Sequence, residues 1–301
     1  MNILFLGGGR RVLLAKRFIE RGHSIFSYEL DKNVPISSVA EVIEGLPWQH
    51  DDILWDIMSK IETHEIDLVI PLMDAGVRVC ALLPRKRALC SSVKTAELCF
   101  DKLALESFMV KNFPELYPEL DIMPPLIAKP RYGFGSRNLI LMNNKYDVSE
   151  FLGRDDVEDY VVQKKIIGKE YSVDSYFDKY GNWVDSVPRE RIRVGSGEVI
   201  TSLTVKNEEL ITWAKTIGEQ LQMIGPCNMQ FIIEDNTRRV FFIEANARFG
   251  GGFTLSMKAG LDVISLIERD YFEKEFKYAA GKWQEGLLME RSYEDHYFET
   301  A

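Results

Sequence analysis

The run Ile3-Leu4-Phe5-Leu6 passes directly into Gly7-Gly8-Gly9-Arg10-Arg11 and then into a helical pattern over 12–20. An apolar strand that breaks at glycine and resumes as a helix suits a parallel sheet covered by helices, because strands buried on both faces read as unbroken apolar runs. The same punctuation returns at 24–28, 54–61 and 67–70. It predicts an α/β opening built from βαβ units. With 301 residues the chain has room for about two domains.

Beyond Pro84 the chain turns basic at Arg85-Lys86-Arg87, then reads as one helix over 95–111. The prolines at 114, 118, 124 and 125 end that helix and mark a boundary. From Leu126 the pattern becomes β-rich, with strands expected at 126–129, 138–142, 160–164, 170–177, 183–187, 227–233 and 240–245. Helices are expected at 148–152, 208–221 and 253–272. Asp178-Lys179-Tyr180-Gly181 and Glu234-Asp235-Asn236-Thr237-Arg238 read as hairpin turns. An α+β body therefore follows a small α/β domain.

Composition narrows the function classes. No apolar stretch approaches the roughly 18 residues of a membrane span, and the N-terminus lacks a secretion signal, so a cytoplasmic protein is expected. The 37 Lys plus Arg are outnumbered by 46 Asp plus Glu, a formal charge of -9 without the basic footprint that nucleic acid requires. Cys80, Cys90, Cys99 and Cys227 lack CxxC spacing and the four histidines are scattered, so neither a zinc site nor a disulfide framework is expected.

Four segments can carry chemistry. Gly7-Gly8-Gly9-Arg10-Arg11 lies at a helix start, where backbone N–H groups favour anions; its spacing departs from GxGxxG, and a turn using Arg10 or Arg11 to hold an anionic substrate is the more modest reading. Lys129 ends a strand and precedes the loop Tyr132-Gly133-Phe134-Gly135-Ser136-Arg137, a fixed cation beside flexible donors. Asn228 and Gln230 share one strand face, and Glu244 and Asn246 share one face of the returning strand. In a suitable register the four converge as hard oxygen ligands for Mg²⁺ carrying phosphate; otherwise they form the solvent side of a hairpin. The extended run Gln163-Lys164-Lys165 can offer backbone groups to an adenine edge, with Glu170 available to ribose hydroxyls.

In order, these segments resemble the ATP-grasp superfamily, most closely its carbamoyl-phosphate-synthase-large-chain-like branch. The matching stretches are Asp101-Lys102, Ala128 to Arg137, Val162-Gln163 through Gly168 to Asp174, Ile224 to Phe231, and Phe242 to Gly252. The resemblance implies a Rossmann-like pre-ATP-grasp domain over 1–92 and an ATP-grasp domain over 93–301. Within the latter it implies a nucleotide-binding subdomain at about 126–168 and a catalytic subdomain at about 169–290. It further implies that Lys102 and Lys129 reach the phosphates of ATP, that Gly133, Gly135 and Ser136 close over them, and that Gln163, Lys164 and Lys165 meet adenine while Glu170 meets ribose. Gln230, Glu244 and Asn246 match the metal positions, for Mg²⁺ or Mn²⁺, and Arg248 with Asn246 the catalytic ones.

The activity so implied is ligation of a small carboxylic acid to an amine or other nucleophile through an acyl phosphate, which needs no covalent nucleophile on the protein. Related chains are often homodimers. Gln230 replaces a carboxylate found in many ATP-grasp enzymes, which leaves Glu244 as the anionic metal ligand. For the substrate, Asp74 follows an expected strand and can bind an amine or cap the next helix. Arg189, Arg191 and Arg193 alternate after Pro188 and form either one cationic face toward the acyl phosphate or a charged sheet edge. The alternatives are a component of a multi-chain synthase fed with ammonia, a sensor that binds ATP without turnover, and, at fold level, a nicotinamide enzyme.

Overall fold

The computed structural model describes residues 1–118, 123–133, 138–195, 197–292 and 294–298. The opening run forms β1 (Asn2–Leu6), and α1 (Val12–Ile19) lays Leu14, Ala15 and Phe18 into a core with Ile3 and Phe5. There follow β2 (Ser24–Glu29), β3 (Glu41–Glu44), α2 (Ile53–Thr63) and β4 (Leu68–Pro71). The sheet order is β3-β2-β1-β4 and every pair is parallel. Because successive strands run one way from β1 to β3 and the other way to β4, the carboxyl ends of β1 and β4 flank a crevice. β3 is too short to declare itself by alternation.

The expected helix over 95–111 is two helices. After α3 (Asp74–Cys80), α4 (Val93–Phe100) stops at Asp101, and α5 (Lys102–Asn112) starts there. Asp101 is extended and its Oδ1 accepts from the Leu103 and Ala104 amides at 3.0 and 3.2 Å, an N-cap that satisfies donors a continuous helix would have paired. A three-stranded antiparallel sheet follows, ordered β6-β5-β7, from β5 (Leu126–Pro130), β6 (Ile140–Met142) and β7 (Tyr160–Lys164). It is covered by α6 (Lys145–Leu152) through Phe151.

The largest sheet is antiparallel, in the order β12-β11-β8-β9-β10-β13. Its members are β8 (Gly168–Phe177), β9 (Trp183–Gly195), β10 (Glu198–Thr204), and, after α7 (Glu208–Gln220), β11 (Gly225–Glu234) and β12 (Val240–Asn246). The helices α8 (Phe253–Ala259) and α9 (Val263–Phe272) precede β13 (Leu288–Glu290). β9 outruns the expected 183–187 because the alternating charged run after Pro188 pairs with β10, a strand the charge pattern hid. The expected helix over 253–272 breaks at Gly260, whose φ of 127° a side chain would resist, and restarts with Asp262 capping the Ser265 amide.

One face of this sheet packs Val173, Met229 and Phe231 against Met109, Leu210 and Ile217. A second core joins Phe5 and Phe18 of the first sheet's layer to Tyr176, Phe253 and Ile264, so the last helices pack back onto the chain's opening element. Among the described residues no helix is long and apolar enough to cross a membrane.

Candidate active site

The hairpin β11–β12 sets the register that the alternation left open. Gln230 stands opposite Glu244 and Asn228 opposite Asn246. Strict alternation would put Phe242 and Glu244 on the same face, yet Phe242 lies in the core. A bulge between the pairs 230/244 and 231/242 absorbs Ile243 and turns Glu244 to the polar face. Glu244 Oε1 there accepts from Gln230 Nε2 at 2.7 Å and Asn246 Nδ2 at 3.0 Å. Asn228 does not join them; it is buried and donates to Asp174 at 2.6 Å.

Facing this hairpin across a cavity are α5 and the three-stranded sheet, whose lining includes Lys102, Lys129, Gly133, Gln163 and Tyr117 opposite Glu244 and Asn246. Burial lowers the pKa of Lys129, with Glu244 and Glu106 pulling the other way. Its ammonium makes no hydrogen bond or ion pair among the described residues. Burial likewise lowers Lys102, whose Nζ donates to the Gly133 carbonyl at 2.8 Å. Glu106, one turn beyond Lys102 on α5, is raised by burial.

Arg248 closes one end of the site. Its Nε and Nη2 hold Asp74 Oδ1 and Oδ2 at 2.8 and 3.0 Å; Nη2 also meets Asn246 Oδ1 and Nη1 the Phe249 carbonyl, both at 3.1 Å. Of the five N–H groups of its guanidinium, one has no partner among the described residues. Burial opposes the charge on Arg248, but Asp74 and then Glu244 outweigh it and raise the pKa. Among the described residues no group of three His, Cys, Asp or Glu could hold a metal by itself. One carboxylate beside amide oxygens suits instead a divalent ion that arrives on phosphate oxygens and keeps water in its shell.

A family model described as ATP-grasp in the biosynthetic pathway with Ter operon matches residues 156–292. The carbamoyl phosphate synthase large chain of Agathobacter rectalis is 27% identical over 158 residues, 48% of this chain and 15% of that protein. That of Pyrobaculum aerophilum is 31% identical over 158 residues with the same coverage. Over this region the chain is similar to ATP-grasp proteins, and among them to carbamoyl phosphate synthase large chains. It spans about 15% of the length of these two relatives. The ATP-grasp fold extends over nearly the whole chain. N5-carboxyaminoimidazole synthetase from Staphylococcus aureus, complexed with ADP, superposes with a TM-score of 0.71 at 16% identity, covering 92% of this chain and 78% of that one. The biotin carboxylase domain of Hydrogenobacter thermophilus 2-oxoglutarate carboxylase, complexed with MgADP and bicarbonate, gives 0.70 at 16% identity over 95% and 73%.

Not every residue expected from the ATP-grasp resemblance lies in this cavity. Gly135 and Ser136 lie outside the described residues. Lys164 is exposed and belongs to β7, where it pairs with Leu126, and the Lys165 amide is bonded to the Pro125 carbonyl at 2.9 Å; neither lines the cavity. Glu170 is held by Arg191 at 3.3 Å rather than turned into the cavity. The arginine face is corrected as well. Arg189 is 1% exposed and locked to Asp174 at 2.7 Å, while Arg191 and Arg193 pair with Glu170 and Glu290, so none of the three is a free cation.

The glycine turn after β1 is also filled from within. Glu29 Oε1 accepts from the Gly9 amide at 2.8 Å, occupying a donor that a dinucleotide would need. Arg10 is exposed, whereas Arg11 is half-buried beside Gly251. Asp74 neither caps α3, which starts at it, nor stands free for an amine; both its oxygens belong to Arg248. Sequence reasoning missed Glu106 and Tyr117. Glu106 was marked by its i,i+4 relation to Lys102, while Tyr117, which accepts from Gln163 at 3.2 Å, had no local signal.

Proposed function

We propose that this chain is an ATP-dependent carboxylate ligase that works through an acyl phosphate, with 1–92 serving as pre-ATP-grasp domain and 93–301 as the ATP-grasp domain. The observation that carries this reading is Lys129, a desolvated cation with no hydrogen bond or ion pair among the described residues, in the same cavity as Glu244, with Arg248 fixed alongside. A half-buried lysine whose carboxylate neighbours act only at a distance is costly unless an anion completes it by direct contact. Phosphate oxygens are such an anion.

Lys129 and Lys102 hold the phosphates, and Lys102 exchanges its Gly133 carbonyl for one of them. Glu244, helped by Gln230, receives the divalent ion, which neutralises phosphate charge when bound. The remaining N–H of Arg248 points the acid's carboxylate toward the γ-phosphorus. A carboxylate oxygen bonds to that phosphorus while the bond to ADP breaks. An amine then attacks the carbonyl carbon, phosphate leaves, and the amine's proton passes to solvent. Positioning and charge neutralisation supply the rate, as expected for phosphoryl transfer.

The test is incubation with ATP, Mg²⁺ and hydroxylamine against pools of carboxylic acids, reading ADP and hydroxamate. A pool yielding both supports the ligase. ADP-free, hydroxamate-free binding of ATP favours a sensor or a chain that needs a partner, and absence of ATP binding overturns the reading.

A further inference from the structure

Three glycines in a row follow β12 through Arg248-Phe249, yet none of them has a positive φ. Their use is close approach. A Cβ on Gly250 would lie 2.9 Å from the Asn228 side chain, one on Gly252 2.7 Å from Arg189, and one on Gly251 3.3 Å from Arg11 Nη1. Arg291 braces the same turn, donating to the Gly251 carbonyl at 2.5 Å while pairing with Glu198 at 2.9 Å.

Around Gly251 the charges do not balance. Arg248 is paired with Asp74 and Arg291 with Glu198, but Arg11 has no hydrogen bond or ion pair for its side chain among the described residues. Burial, followed by Arg248 and then Arg291 against Glu198 and Asp74, brings the Arg11 pKa down to about 10. This locus adjoins the phosphate site, because Asp74, which lines that cavity, and its partner Arg248 both act on Arg11.

We infer that the acid substrate carries two anionic groups, the carboxylate that is activated beside Arg248 and a second carboxylate or phosphoryl group that Arg11 receives in the crevice between the ends of β1 and β4. This rests on the ligase reading for the role of the first group. The second follows from Arg11 itself, an arginine whose donor fork matches a planar carboxylate or a phosphate and which no anion among the described residues pairs. Gly251 lets the Arg11 guanidinium lie close against the turn, and Arg291 holds the Gly251 carbonyl.

The test measures thermal-unfolding midpoints at constant ionic strength, with and without Mg²⁺ and a non-hydrolysable ATP analogue, as acids are titrated in. The probes are α,ω-dicarboxylates from malonate to adipate, their ω-phosphono counterparts and matched monocarboxylates, against wild type, Arg11→Gln and Arg11→Lys. At least one dianion should bind about tenfold more tightly than its monoanionic match, Arg11→Gln should abolish that difference, and Arg11→Lys should keep part of it. The dicarboxylate and phosphono series tell which second group is preferred. Equal binding of monoanions and dianions across the series in wild type, or an unchanged preference in Arg11→Gln, overturns the inference. The nucleotide response of Arg11→Gln verifies its fold. A wild type that ignores the nucleotide but prefers dianions refutes the ligase reading alone.

Discussion

Arg248, two residues beyond the end of β12, holds Asp74, three residues beyond the end of β4, through two hydrogen bonds of 2.8 and 3.0 Å. The contact bridges 174 residues of sequence and ties the largest sheet to the first at the site itself. Arg248 is thereby aimed by a residue that need not touch any reactant. Asp74→Asn should lower kcat by about 10- to 100-fold, the worth of a charge-assisted hydrogen bond, while leaving the KM for ATP near its wild-type value. Steady-state ADP release measures both; a rise in KM for ATP with kcat intact would move Asp74 into the nucleotide site.

Glu244 is the acceptor on which Gln230 and Asn246 converge. Glu244→Gln keeps the shape and removes the anion, so Mg²⁺-dependent turnover should fall by at least about 100-fold with little change in unfolding midpoint. Titrating Mg²⁺ against activity checks this. Activity that saturates at the same Mg²⁺ concentration as wild type would remove Glu244 from the metal site.

Lys129 loses its proton at a lower pH than an ordinary lysine at 10.5, because burial disfavours its charge. Since the charged form is the one that binds phosphate, ATP affinity should fall as pH rises through that lowered value. Calorimetric titrations from about pH 7 to 10 should show the decline, and Lys129→Arg should shift it upward. A decline of the same position in both proteins would assign it to another group.

Gly252 and Gly251 are neighbours with unequal tolerance. A Cβ on Gly252 would meet the guanidinium of Arg189, which Asp174 immobilises in the core, whereas one on Gly251 would meet the far end of the Arg11 side chain. Gly252→Ala should therefore destabilise the protein by about 1–3 kcal/mol, and Gly251→Ala by less while weakening acid binding. Denaturant unfolding compares the two.

Glu268 fastens the end of α1 to α9. Burial would raise its pKa, but hydrogen bonds from Lys274, Arg21 and the ring of His23 bring it down to about 2. Burial keeps His23 below its ordinary value, so the neutral ring donates to Glu268 through Nε2. A depressed carboxylate stabilises the fold above its unfolded value of 4.5 and loses that contribution as pH falls from there through about 2. Glu268→Gln should cost roughly 2–3 kcal/mol at neutral pH and much less near pH 2. Unfolding at several pH values follows the difference.

Local pattern determined much of this protein. The apolar run into glycine forced a parallel opening, and the ordered segments pointed to Lys102, Lys129, Glu244 and Asn246, which line one cavity, and to Gln230, which bonds Glu244 there, because strand alternation and loop chemistry depend on neighbours a few residues apart. Tertiary structure decided what depends on distant partners. The bulge at Ile243 turned Glu244 from the core face, Asp101 divided a helix that periodicity read as continuous, and Asp174 drew Arg189 into the interior. It also left Arg11 without a partner among the described residues while binding Asp74 to Arg248. Which charges neutralise one another is a property of space, and no spacing along the chain records it.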